Sequence, residues 1–270
     1  MRLWLPMVVL MAWLLATLLG PLLPTDPNRI ELAEILHGPS SAAWLGYDEL
    51  GRSVSQRLVA GARTSFLVAF AVVSLSLMVG TFIGVVSAWI GGLWDHVIIR
   101  LTDVFLAFPG ILLAIALAGI LGPGVENVVL ALAAVGWVGF ARLARAQALS
   151  VKHRDHVQAA IALGSRTPTI LWRHILPLVA APLIVEATFA VAGVIIAEAG
   201  LSFLGLGVQP PAASWGSIIR EGTRYMLVAP HLVLGPAVVL LAVVMSVNLL
   251  GDQLRDRMDV RGRVRGPGRN

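Results

Sequence analysis

Three carboxylates lie in or beside long apolar runs of this chain: Asp103, Glu186 and Glu198. Ionisable groups at membrane depth are costly and are commonly functional, as pathway linings, proton relays or partners of a second charge. Asp103 follows Arg100 by about one helical turn, so a local ion pair accounts for it. Glu198 falls at the outer end of its run, where water reaches it. Glu186 sits about nine residues into the same run, near mid-depth. There it either lines a path and meets a cationic amine, or hydrogen-bonds a neighbouring helix. The other reactive types offer less. Six histidines (His37, His96, His153, His156, His174 and His231) are scattered. No cysteine is present, which removes disulfides, thiolate metal sites and a cysteine nucleophile. The single lysine, Lys152, has no glycine before it, so no phosphate-binding loop exists, and the zinc-protease and serine-hydrolase signatures are missing too. We expect no catalytic residue, no metal and no cofactor on this chain.

What must position these groups is membrane helix. The chain is 57% hydrophobic and 13% charged, against about 25% charged in soluble domains. A span takes about 20 apolar residues, and six runs qualify: Leu3 to Leu23, Thr64 to Leu93, Leu101 to Leu121, Asn127 to Leu149, Leu178 to Ala197 and Leu232 to Leu250. The first is longer than a signal-peptide core and lacks a clear cleavage site, so it reads as a retained helix. Ala199 to Ile219 is equally free of charge, but it contains Pro210-Pro211, which cannot continue a helix. With six spans and an inner N-terminus, the inner segments hold 14 basic residues and the outer ones 6, as the positive-inside rule requires. Arg142 and Arg145, at the inner end of the fourth span, are expected to reach the headgroups. The basicity thus follows topology; no polar domain exists to bind nucleic acid. The layout predicted is a first helix at 1–23, an outer loop at 24–63, a core at 64–251 and a basic tail at 252–270, whose Arg/Gly part is expected to be disordered.

Inside the core, an inner loop at 150–177 separates spans four and five. Asp155 to Leu163 reads as a short helix. Val157, Ala160, Ile161 and Gly164 fall at i, i+3, i+4 and i+7, forming one small apolar face. Gly164 can stop the helix in the left-handed conformation, and Pro177 suits the first turn of the next span. Such a helix is either a plain interfacial element or a rigid knob for a partner's cleft, where Ala159 and Ala160 permit close approach. On the outer side, Ser53 reads as the N-cap of a short surface helix through Gln56, Arg57, Leu58 and Ala60. The Gly/Pro-rich segment with Leu204, Gly205, Leu206, Gly207, Gln209, Pro210 and Pro211 is expected to fold back as an outer gate, since irregular backbone at membrane depth must be buried or line a cavity.

The run Val157-Gln158-Ala159-Ala160-Ile161-Ala162-Leu163-Gly164, followed by His174-Ile175-Leu176-Pro177, resembles the EAA loop of ABC-importer permeases. Leu45-Gly46-Tyr47-Asp48-Glu49-Leu50-Gly51-Arg52, Leu106-Ala107-Phe108-Pro109, Leu201 to Pro211, and Gly251-Asp252-Gln253-Leu254-Arg255-Asp256 extend the resemblance from about Trp44 to Asp259. The whole is similar to the dipeptide/oligopeptide/nickel permease family, in particular its C-type subunit. That resemblance implies an all-α integral membrane protein with six transmembrane helices and the type I ABC importer permease fold. It makes Val157, Gln158, Ala159, Ala160, Gly164, His174 and Pro177 a cytoplasmic coupling element. It implies a homologous second permease, two ATPase subunits that carry ATP and Mg, an extracytoplasmic solute-binding protein, and a bacterial cytoplasmic membrane with both termini inside. The implied activity is ATP-driven import of di- or oligopeptides by alternating access, with nickel chelates or glutathione as alternatives. It gives Glu186 no role. One position departs from the pattern: Gln158 stands where the family usually has glutamate. A restored carboxylate is expected either to gain on the order of 1 kcal/mol toward the ATPase, because charge-assisted hydrogen bonds are the stronger kind, or, where the ATPase has lost its basic partner and suits an amide, to bury an unpaired charge and weaken assembly.

Overall fold

The computed structural model describes residues 4–41 and 43–258, and within them the chain is helical, with one isolated bridge between Tyr47 and Ser53. Ten α-helices follow in order: α1 Trp4–Leu19, α2 Val54–Ile90, α3 Gly92–Leu106, α4 Gly110–Leu121, α5 Val125–Lys152, α6 Asp155–Ala162, α7 Thr167–Ile170, α8 Leu176–Phe203, α9 Trp215–Thr223 and α10 His231–Met258. Five helical runs are long and apolar enough to cross a membrane, and α3 with α4 adds a sixth if that bent pair counts as one span. α9, with nine residues, is too short to span, so no seventh crossing forms there.

Three boundaries differ from expectation. The predicted surface helix and second span are one helix of 37 residues, about 55 Å long at 1.5 Å per residue. That exceeds a hydrocarbon core of about 30 Å, and the expected surface helix and second span form one continuous rod. Ser53 makes no capping bond; its hydroxyl pairs with that of Ser55. The third span is broken: α3 and α4 meet at 87°. Pro109 has no N–H and keeps Phe108 out of the helical region, so a helix cannot run through the pair. The last difference lies at the end of α10, which continues the sixth span through Asp252 to Met258; the Arg/Gly tail falls outside the described residues.

The bundle is centred on α2, α5 and α8. A large apolar cluster joins α2 (Val73, Val85, Ala88), α5 (Phe140, Ala144, Ala148) and α8 (Val179, Leu183). α2 and α5 touch backbone to backbone, because Gly80 and Gly84 on α2 leave room for Trp137 and Ala141 of α5. Small residues four apart are the usual means of close helix approach in membranes. Phe70, Met78 and Phe82 point outward from α2, as do Val238, Leu241 and Met245 from α10, as expected of helices surrounded by lipid or by other spans.

Candidate coupling face and outer gate

α2 carries a polar cluster at each end. At its C-terminus Gly91 takes φ +69 and stops the helix. The carbonyls of Ala88 and Trp89 lie in the last turn, where helical partners run out. Lys152, the last residue of α5, donates to both, at 3.2 and 2.8 Å, with its ammonium 5.3 Å from the centre of the Trp89 ring. Positive charge at a helix C-terminus is also favoured by the helix dipole. Beside it, Arg145 of α5 grips Asp95 of α3 through two bonds of 2.6 Å, and the Ser87 hydroxyl donates to the same carboxylate at 2.6 Å. Arg145 therefore does not reach outward as expected; a buried carboxylate on the adjacent helix holds it in a bidentate pair. Asp95 escaped the sequence reading because nothing in its spacing announces a partner fifty residues away.

α6 follows this cluster. Gly164 takes φ +75, as expected of a left-handed helix stop. The small apolar face, however, is split: Val157 and Ala160 are used internally, while Ile161 and Gly164 are exposed. Val157 (0% exposed) and Ala160 (7%) pack against Val151, Ile170, Ile175 and Val179. The free face is Gln158, Ala159, Ile161, Ala162 and Leu163, with Trp172 also exposed. Gln158 Nε2 donates to the carbonyl of Lys152 at 2.8 Å. His174 is half-buried, with its ring 6.2 Å from that of His156. Pro177 sits in the first turn of α8, just past a π-helical turn at Leu171–Ile175.

Within this chain the amide of Gln158 has a use that a glutamate could not serve. A carboxylate cannot donate to the Lys152 carbonyl and would set two oxygens against each other. Gln158→Glu is expected to loosen α6 by about 0.5–1.5 kcal/mol, the usual net worth of one hydrogen bond. Hydrogen exchange of the α6 amides should speed up about 2- to 10-fold; unchanged or slower exchange would contradict this.

The opposite end of α2 is tied by charge. Asp48 Oδ2 accepts from Arg52 Nε at 2.7 Å and from Arg57 Nη1 at 2.8 Å, and Glu221 Oε2 accepts from the same two arginines at 3.1 and 2.5 Å. Asp48, Arg52 and Arg57 are all buried. The network joins the loop before α2, the first turn of α2 and α9. Glu49 borders it, and burial pushes its carboxyl above the ordinary range, with the neighbouring Asp48 and Glu221 charges adding. Carboxylate oxygens of Asp48, Glu49 and Glu221 lie within 4.8 Å of one another, and the guanidinium groups of Arg52 and Arg57 balance two of these three carboxylates. The sequence reading put Arg57 on a surface helix and missed this cluster.

One turn further along α2, two indoles donate into its backbone: Trp215 Nε1 to Leu58 O and Trp13 Nε1 to Ala62 O, both at 3.1 Å. Their rings lie 5.8 Å apart. Glu198 is 1% exposed, contrary to the expectation that water reaches it. It accepts from Ser202 Oγ at 2.7 Å and Ser65 Oγ at 3.1 Å, which satisfies a buried carboxylate by hydrogen bonds.

The segment expected to form a gate is in part packed on the bundle and in part exposed. Val208, Ala213, Ser214 and Trp215 are buried. Leu206 O accepts from Gly124 N at 3.1 Å, and Gln209 Nε2 donates to Gly205 O and Gly207 O, both at 3.0 Å. Gly207 lies so close to Ser202 that any side chain would collide with its hydroxyl. Leu204, Pro210 and Pro211 are exposed, and the Pro210–Pro211 peptide is cis. Ser214 and Ser217 cap α9 reciprocally. Glu186 is exposed on α8 and forms no ion pair with a described residue; Arg100 and Asp103 are likewise both exposed and unpaired with each other, so the expected local pair is not made.

Comparison with known proteins agrees with this architecture. Residues 80–264 match the family described as binding-protein-dependent transport system inner membrane component. The glutathione transport system permease protein GsiD of Pectobacterium atrosepticum is 41% identical over 239 residues, covering 88% of this chain and 79% of that protein. The protein of the same name from Shigella boydii serotype 4 is 40% identical over 232 residues, 86% of this chain and 77% of the relative. In fold, the chain is similar to inward-facing structures of the MetNI methionine ABC transporter: TM-score 0.56, 19% identity, 74% of this chain and 95% of that one. The helices thus form the type I ABC importer permease fold, and the chain is a multi-pass inner-membrane transport subunit. By the span of the family match and by the identity of these relatives, the chain belongs to the binding-protein-dependent transport system inner membrane components.

Proposed function

We propose that this chain is one permease half of an ATP-driven importer for short peptides, glutathione among them. It pairs with a homologous permease, two ATPases and an outer binding protein. The observation that carries the substrate class is the 41% identity to a glutathione transport permease across most of both chains; glutathione is itself a tripeptide. The exposed residues of α6, Gln158, Ala159, Ile161 and Ala162, with Leu163, are read as the surface an ATPase grips, with both termini on that side, as the 14-to-6 basic bias supports. The network at Arg57 and the segment Leu204 to Pro211 then face the binding protein. Glu186 is read as a lining of the path: an exposed carboxylate at mid-span is too costly to leave in lipid, and a peptide's ammonium group is a suitable counter-charge. No catalytic step or cofactor is assigned to this chain; ATP and Mg belong to the partner subunits.

The test is uptake in vesicles reconstituted with the cognate partners. Glutathione and unlabelled di- and tripeptides are expected to compete for one ATP-dependent uptake, and a nickel chelate is not. Uptake of the chelate without competition by peptides would overturn the substrate assignment.

A further inference from the structure

We propose that Lys152 is a positioning residue that links α6 to α2, so that α2 carries movement of α6 to the Arg57 network at its far end. This rests on the reading of α6 as the helix that meets the ATPase.

The geometry is a chain of direct contacts. Gln158, on the exposed face of α6, donates to the Lys152 carbonyl at 2.8 Å. The Lys152 ammonium donates to Ala88 O and Trp89 O, the open carbonyls at the end of α2. From there α2 runs as one unbroken helix of 37 residues to Arg57, which holds Asp48 and Glu221 of the opposite end. Residue 152 therefore faces both ways: its backbone holds α6 and its side chain holds α2. The side chain's chemistry suits the task. A compact ammonium on a flexible stem can keep two carbonyls while α6 and α2 shift by a fraction of an ångström, whereas a guanidinium imposes a planar fork. The other nineteen Lys/Arg positions in the chain are arginine; the one lysine stands at the end of α5 against the open carbonyls of α2. The neighbouring Asp95–Arg145 pair clamps α3 to α5 and, through the Ser87 hydroxyl, also to the last turn of α2, but it makes no bond to α6, so among the described residues only Lys152 joins the two.

The consequence is a separation of two activities. Removing the ammonium leaves the exposed face of α6 intact, so the ATPases still assemble and still hydrolyse ATP. The apolar packing of α5 on α2 remains, but the polar hold on the end of α2 is lost, so movement of α6 is passed on less completely and uptake falls. In the reconstituted complex, Lys152→Met is expected to keep normal co-purification with the ATPase and most ATP hydrolysis, while the ATP consumed per substrate imported rises about fivefold or more, the scale of a typical coupling between sites. Lys152→Arg keeps the charge and is expected to restore part of the coupling. Should Lys152→Met fail to accumulate, Lys152→Gln, which keeps a donor on a shorter stem, must show the same rise in ATP per substrate. A parallel fall of hydrolysis and uptake with an unchanged ratio, in whichever variant accumulates, overturns the link, and so does unimpaired uptake. The underlying reading is tested separately by Ala159→Arg on the free face of α6. If that variant assembles with the ATPase and transports normally, the docking assignment fails; if it blocks assembly while Lys152→Met leaves the ratio unchanged, only the link fails.

Discussion

Gly84→Ala is expected to destabilise the folded protein, whereas the same change at Gly139 leaves it unharmed or slightly firmer. A methyl group at Gly84 would collide with the carbonyl oxygen of Ala141 and stand 2.9 Å from the amide nitrogen of Arg145. Both are backbone atoms of α5, so no rotamer change relieves the clash; the helices must separate. At Gly139 nothing lies within 4 Å of the added carbon. Alanine is intrinsically better in a helix by about 1 kcal/mol, so the two substitutions have opposite signs. Overpacking costs about 1–3 kcal/mol, and Gly84→Leu, with three more carbons in the same place, should yield no folded protein. Gly80 repeats the argument four residues earlier, where a methyl would meet Phe140 Cβ at 2.7 Å. Thermal unfolding in detergent checks the pair. Equal midpoints for Gly84→Ala and Gly139→Ala would show that α2 and α5 are not in backbone contact.

Arg57→Leu should be the most damaging single change at the gate end. Arg57 is 1% exposed and bonds to both Asp48 and Glu221. Without it, three carboxylates (Asp48, Glu49 and Glu221) remain with only Arg52 among them. Removing one partner of a buried charge cluster typically costs about 3–5 kcal/mol, because the others stay buried and uncompensated. The loop before α2 and α9 should both loosen, so proteolysis at 24–53 should accelerate strongly in Arg57→Leu. Adding Glu221→Gln removes one orphaned charge and should recover part of the loss. A double variant worse than the single would mean that Glu221 contributes something other than charge balance.

The spans were legible in the sequence because a run of about 20 apolar residues is a statement about the bilayer, independent of tertiary contacts. Span ends were less so. Periodicity with Arg57 and Arg63 on one helix cannot distinguish a separate surface helix from the first turns of a long span, and α2 is one continuous helix. The break at Pro109 had its signal in the Phe108-Pro109 pair, but the apolar run on either side outweighed it. In α6, spacing grouped Val157, Ala160, Ile161 and Gly164 on one face, but only Val157 and Ala160 are covered, because Ile170, Ile175 and Val179 offer apolar partners there, while Ile161 and Gly164 stay exposed. Glu198 was misplaced because its serine partners come from 4 and 133 residues away. Arg52 and Glu221, 169 residues apart, lie beyond any spacing argument.

The absence of cysteine makes the central claim directly measurable. Single cysteines can be placed at Ala159, on the free face of α6, and at Val157, which is fully buried beside it. In membranes containing the assembled importer, Ala159→Cys is expected to form a short cross-link to an ATPase subunit, in a yield that changes when ATP is bound, while Val157→Cys forms none. An Ala159→Cys protein that transports substrate but cross-links to no ATPase, or a Val157→Cys protein that cross-links equally well, would contradict the claim that α6 is where ATP hydrolysis takes hold of this permease.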